Sequence, residues 1–325
     1  MTPPDPAAPP SPVRPGLLRQ AIPLSLTILI FAAIFWRIPF GRFWEALSKA
    51  DFPPFLALML CLSTVFFLVD TFVLSRMIRW FHGPIRYREL LPVRASTYII
   101  SILNTQLAQA GLALYIHRRF QTPLGQLVGT VAALILLEAT NLCLFATAGM
   151  LAFPGRAPAA LLGAPVALAV AWLLALGAAR GGFGPLGRRL GGSVLLSTFR
   201  RLRPRHGLAV LALKGSVTFF SLLIHGQALR HFGIEIPFLH LAAFLPVIFF
   251  IGALPVTVAH LGTSQAAWIF FFRGHAPEAD LLAYSLASHL TFMLANGGFG
   301  LIFLPRVYSD LFGRRARPSS PAAGP

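Results

Sequence analysis

The chain has 325 residues, of which 56% are hydrophobic and only 11% charged, and its mean hydropathy is +0.72. That composition excludes a soluble domain of this length and indicates a polytopic membrane protein. Lys and Arg number 27 against 10 Asp and Glu, a formal charge of +17; because the arginines lie between apolar runs, phospholipid head groups are the expected partner and nucleic acid is not.

In chain order, residues 1–16 (MTPPDPAAPPSPVRPG) are proline-rich and are expected to form a disordered tail. Runs able to cross about 30 Å of hydrocarbon follow at 17–36, 53–75, 124–152, 158–179, 207–230 and 281–304. The first is longer than the apolar core of a signal peptide and is read as a retained span. Two further apolar regions, 96–117 and 238–272, are interrupted by polar residues. Residues 307–325 form a basic tail. Cys61 and Cys143 each fall alone inside an apolar run, which suits packing; no metal and no cofactor is expected.

Arginine fixes the expected topology. Arg76, Arg79, Arg86, Arg88 and Arg94 cluster in 76–95, seven arginines occupy 180–206, and Arg306, Arg314, Arg315 and Arg317 lie near the C-terminus. The positive-inside rule places all three groups, and both termini, in the cytoplasm. This holds only if 96–117 and 238–272 each enter and leave on one face. The order is then span, span, re-entrant element, span, repeated once, over 17–152 and 153–306. Three crossings per half make the second copy inverted. A shift of 151 residues carries Leu103 to Leu254, Ala108 to Ala259, Gly111 to Gly262 and Phe120 to Phe271. The expected fold is therefore an all-α polytopic membrane protein of about six transmembrane helices and two re-entrant or broken elements in an inverted repeat.

Irregular backbone at membrane depth survives only where protein or a wet cavity satisfies its peptide groups. Asn104, Gln106, Gln109 and Gly111, facing Pro255, Thr257, Gly262, Thr263, Ser264 and Gln265, are accordingly expected to line a polar cavity. Arg118 and Arg119 abut the first stretch and are candidates for holding phosphate at its mouth.

The stretches SILNTQLAQAGLALYIHRRF with LLEATNL, and FLPVIFFIGALPVTVAHLGTSQAAW with SLASHL, resemble the two halves of the lysylphosphatidylglycerol synthase transmembrane region, a flippase-like family. The resemblance covers about 15–310. It implies an integral protein of the bacterial inner membrane that moves lipid between leaflets, without the aminoacyltransferase domain of the full-length synthases. The family's charged residues do not carry over: Gln109 stands at its arginine, Leu112 at its acid, Ser264 at its second glycine, Gln265 or a neighbour at its second acid, and His289 at the arginine of its last span.

Glu138 lies mid-span, where an ionised group is costly unless it is paired or wet, and the 151-residue shift carries it to His289. A Glu138–His289 pair that couples proton movement to exchange between conformations is one expectation; a protonated, packed Glu138 is the other. Asp70 is read as an orientation residue within reach of interfacial arginine, and Lys214 as a cation within a span. There is no Ser-His-Asp pattern, P-loop or paired acid, so no enzyme is expected. A translocase for an anionic or phosphate-containing lipid leads. A small-solute carrier and a non-transporting scaffold for an envelope pathway remain as alternatives, with a homo-oligomer or an envelope-biosynthesis partner left open.

Overall fold

The computed structural model describes residues 17–103, 105–153, 163–182, 192–253 and 261–312, and among these all regular structure is helical. The helices are α1 (Leu17–Arg37), α2 (Phe40–Ser48), α3 (Phe52–Phe81), α4 (Tyr87–Leu103), α5 (Thr105–Phe120), α6 (Leu124–Ala152) and α7 (Gly163–Ala179). After a 3₁₀ turn (Val194–Leu196) come α8 (Ser197–Arg201), α9 (Pro204–Arg230), α10 (Phe238–Ala253), α11 (Thr263–Phe272) and α12 (Glu278–Phe312). Prolines mark several starts, where a missing N–H costs nothing: Pro53 and Pro54 open α3, and Pro204 opens α9.

Four helices, α3, α6, α9 and α12, are long and apolar enough to cross a membrane, and the α1–α2 pair makes a fifth if it is taken as one broken span. Their outward faces carry Leu60, Leu144, Leu208, Phe219 and Ile302 exposed, as lipid-facing surfaces require. This is a polytopic helical membrane protein. One of the six expected spans looks different in three dimensions. The first span ends in an 86° bend at Pro39, beyond which α2 packs on α12. Arg37 locks that corner, donating from Nε and Nη2 to the two carboxylate oxygens of Glu278 at 2.8 and 2.6 Å. The span expected at 158–179 is described from Gly163 onward, as α7; residues 158–162 lie outside the described residues.

Both interrupted regions fold back on themselves, α4 against α5 and α10 against α11. The packing is reciprocal between the halves: α6 lies on α10, α12 lies on α4, and α3 packs on α9. Two glycines 151 residues apart make the close approaches. A Cβ on Gly149 would fall 2.5 Å from the Ala243 Cα, and one on Gly300 would fall 2.7 Å from the Ala95 carbonyl oxygen. Such a paired contact between the last helix of each half and the first hairpin helix of the other is what a pseudo-two-fold axis produces.

Apolar clusters close the bundle at both ends. Phe55, Phe232, Phe244, Phe272 and Tyr284 form the larger one, with Phe55 and Phe232 packed edge to face at 5.0 Å. At the arginine-rich end, Val73, Met77, Phe81, Leu137, Phe199 and Val210 form another. There His82, at the end of α3, shares a 2.6 Å hydrogen bond with Thr130 of α6, whose hydroxyl meets Thr198 of α8 at 2.8 Å.

Gly149→Ala is expected to force α6 off α10 and lower stability by about 1–3 kcal/mol, whereas Gly298→Ala, with nothing within 4 Å of the added carbon, should be neutral; melting curves in detergent separate the two. His82 is held below the ordinary imidazole range by burial, aided by the Arg201 charge. A lowered folded value means that the unfolded chain binds the extra proton, so His82's contribution is complete above the unfolded value of about 6.5 and is lost as pH falls below it. Melting temperature measured from pH 8 to pH 5 should fall, and His82→Asn should flatten part of that fall.

Candidate functional site

An ionised side chain in hydrocarbon needs an opposite charge, and four helices supply each other's. Asp70 comes from α3, Arg94 from α4, Glu138 from α6 and Lys214 from α9. The Lys214 ammonium donates to Asp70 Oδ1 at 2.7 Å and is also ion-paired with Glu138. Arg94 Nε donates to Asp70 Oδ2 at 2.5 Å, and the Tyr98 hydroxyl donates to the same oxygen at 3.4 Å. The side chains of Lys214, Asp70 and Arg94 are 8%, 10% and 14% exposed, but that of Glu138 is 35% exposed. Two cations and two carboxylates sum to zero, so the cluster as a whole is neutral. One turn further along, Asn141 of α6 donates to Thr218 of α9 at 2.8 Å and continues the polar seam.

The cluster forms one end of a cavity of about 390 Å³ between the halves. Met59, Leu62, Leu142, Val217 and Ile248 give it apolar walls, and Phe66, Phe249, Trp268 and Phe292 add aromatic rings. Its remaining polar lining comes mainly from the second half: Thr218, Ser221 and His225 of α9, Ser264 of α11, and Ser285, Ser288 and His289 of α12. His225 Nδ1 lies 2.6 Å from the Tyr284 hydroxyl, a contact buried in the wall. Among the described residues no group of three or more His, Cys, Asp or Glu is placed to hold a metal ion.

The residues expected from sequence are distributed differently. Asn104, Pro255 and Thr257 lie outside the described residues, as do the side chains of Gln106 and Arg119. Of the remaining stretch residues, only Ser264 lines this cavity. Gly111 faces Ile100 of α4, inside its own hairpin, and Gln109 is half-buried on the same helix. The neighbouring Leu112, Ala113 and Ile116 sink into an apolar cluster. Gln265 is fully buried and its Oε1 accepts the Gly262 N–H at 2.7 Å; it closes the start of α11. Gly262 itself sits at φ +91°, a conformation that favours glycine. Thr263 is half-buried and Arg118 is exposed, neither on the cavity.

Glu138 and His289 do line the same cavity, but the ion pair of Glu138 is with Lys214. Asp70 does reach an arginine, Arg94, yet at depth and not at the interface, with Lys214 as a second partner. The signal for this was present in the sequence. Lys214 is one of two lysines in the chain, and it lies 10 residues into α9 while Asp70 lies 11 residues before the end of α3. In antiparallel neighbours those positions share a level.

Comparison with known families finds that the model described as "Lysylphosphatidylglycerol synthase TM region" matches residues 20–295. No curated protein matches the chain.

Lys214→Met leaves Asp70 with Arg94 alone and Glu138 without its cation, so destabilisation of about 3–5 kcal/mol is expected. Adding Glu138→Gln to Lys214→Met should recover part of the loss, because Glu138 then carries no charge without a partner while Asp70 keeps Arg94. Melting curves of the single and double variants in detergent measure the coupling; additive losses would show that Lys214 and Glu138 contribute independently.

Proposed function

This chain belongs to the lysylphosphatidylglycerol synthase transmembrane-region family, and we propose that it moves a phosphate-containing lipid between the leaflets of a bacterial inner membrane. The observation that carries the proposal is the pairing of a charged cluster with an apolar, aromatic-walled cavity at the junction of the two halves. A lipid has the same two-part chemistry. The head group takes the place of water at Lys214 and Glu138, while the glycerol and acyl portions lie against Leu62, Leu142, Val217 and Ile248.

The asymmetry of the hairpins supports movement as the activity. The second hairpin contributes Ile248, Phe249, Gly252, Ser264 and Trp268 to the cavity, while the first contributes none of its described lining residues. In an inverted repeat, exchanging the roles of the two hairpins opens the cavity toward the opposite leaflet. The charged residues are held in ion pairs, which suits binding and release of a head group without covalent chemistry. In this assignment both termini and the arginine-rich end face the cytoplasm, where Arg118 and the arginines before α4 attract anionic phospholipid.

Reconstitution in vesicles with tail-labelled phospholipids, read by a quencher that reaches only the outer leaflet, tests the proposal. Exchange well above that of protein-free vesicles is expected. No exchange of any phospholipid, together with uptake of a water-soluble solute, would reject lipid translocation in favour of a carrier.

A further inference from the structure

The charge balance of the cavity restricts which head group it can receive. Its charged lining consists of Asp70, Glu138 and Lys214. Asp70 is held by two cations, Arg94 and Lys214, and is 10% exposed. Glu138 is the accessible member, with its side chain 35% exposed on the cavity and Lys214 as its ion-pair partner. A purely anionic head group reaches Lys214 only by displacing Glu138. That leaves a carboxylate beside a phosphate in a low-dielectric site, where like charges repel strongly. A head group bearing only an ammonium is received by Glu138 but leaves an excess positive charge.

A head group that carries both groups avoids either penalty. Its ammonium replaces Lys214 at Glu138, its phosphate takes the released face of Lys214, and Asp70 and Arg94 stay as they are. One ion pair becomes two and the net charge of the cavity remains zero. The aromatic wall points the same way, since ring faces attract ammonium groups. The Lys214 ammonium already lies 5.6 Å from the centroid of Phe66, and Phe249, Trp268 and Phe292 complete the aromatic lining.

Building on lipid translocation as the activity, we propose that Glu138 is a specificity-determining residue, making the cavity accept a lipid whose head carries an ammonium and a phosphate with no net charge, and reject lipids whose head is purely anionic.

Calorimetric titration of the detergent-solubilised full chain with short-chain phosphatidylethanolamine and short-chain phosphatidylglycerol tests this directly. The wild type should bind the ethanolamine lipid at least about tenfold more tightly. Glu138→Gln should bring the two affinities to within about threefold, and Glu138→Asp, which keeps the charge, should retain most of the preference. Equal or tighter binding of the glycerol lipid by the wild type, binding of neither lipid, or an unchanged preference in Glu138→Gln would overturn the proposal. If Glu138→Gln does not fold, the wild-type comparison and Glu138→Asp still decide it. Free O-phosphoethanolamine is titrated as well, and binding as tight as that of the lipid would overturn a lipid as the source of the head group. The vesicle assay with the same two head groups keeps the underlying activity separate. A binding preference without any exchange rejects translocation and leaves the specificity standing, whereas equal exchange of both lipids without a binding preference rejects the specificity and leaves translocation standing.

Discussion

The structure depends on one constraint: a charge cannot stay unpaired inside the hydrocarbon layer. Four ionised side chains meet between the spans, three of them no more than 14% exposed and Glu138 more open, and they are satisfied only together. Asp70 needs Arg94 and Lys214, and Lys214 is shared by Asp70 and Glu138. These residues come from α3, α4, α6 and α9, so the ion pairs fix how those helices are rotated and how deep they sit. Apolar contacts between helices give little such direction, because lipid tails solvate an apolar helix face as well as another helix does.

The rest of the bundle packs reciprocally between its two halves, while the charges of those halves differ. Gly149 and Gly300 make equivalent close approaches, and α6 on α10 mirrors α12 on α4. The 151-residue relation carries Asp70 to Ser221 and brings Lys214 back to Ser63. Ser221 lines the cavity, whereas Ser63 is fully buried with its hydroxyl unpartnered. The second copy of α3 thus carries the cation and the first copy the acid, so that their packing produces an ion pair across the symmetry axis. Identical charges at both positions would repel.

The same asymmetry shapes the cavity. Arg94 and Tyr98 of α4 are occupied with Asp70, which seals the cavity on the side of the first hairpin. Hairpin α10–α11 remains to provide the wall, through Phe249, Gly252, Ser264 and Trp268. A cavity with one neutral charged end and otherwise apolar and aromatic sides is matched to amphipathic ligands, since a fully hydrated solute would leave most of that surface dewetted.

The sequence by itself determined the membrane class, the all-helical fold, the four long spans, the two interruptions and the family. Each of these is local: hydropathy over one span, arginines in one loop, or a motif within one stretch. It also paired Glu138 with His289 through the repeat relation, and the two line one cavity. Only the tertiary structure decided that Glu138 pairs with Lys214, that Asp70 binds Arg94 at depth, and that Gly111 faces Ile100 while Ser264 faces the cavity. Those outcomes depend on helix rotation and on distances between residues as far apart as Asp70 and Lys214, 144 positions in sequence. Composition and periodicity show that a buried charge must find a partner; only the packed helices determine which partner lies within hydrogen-bonding distance.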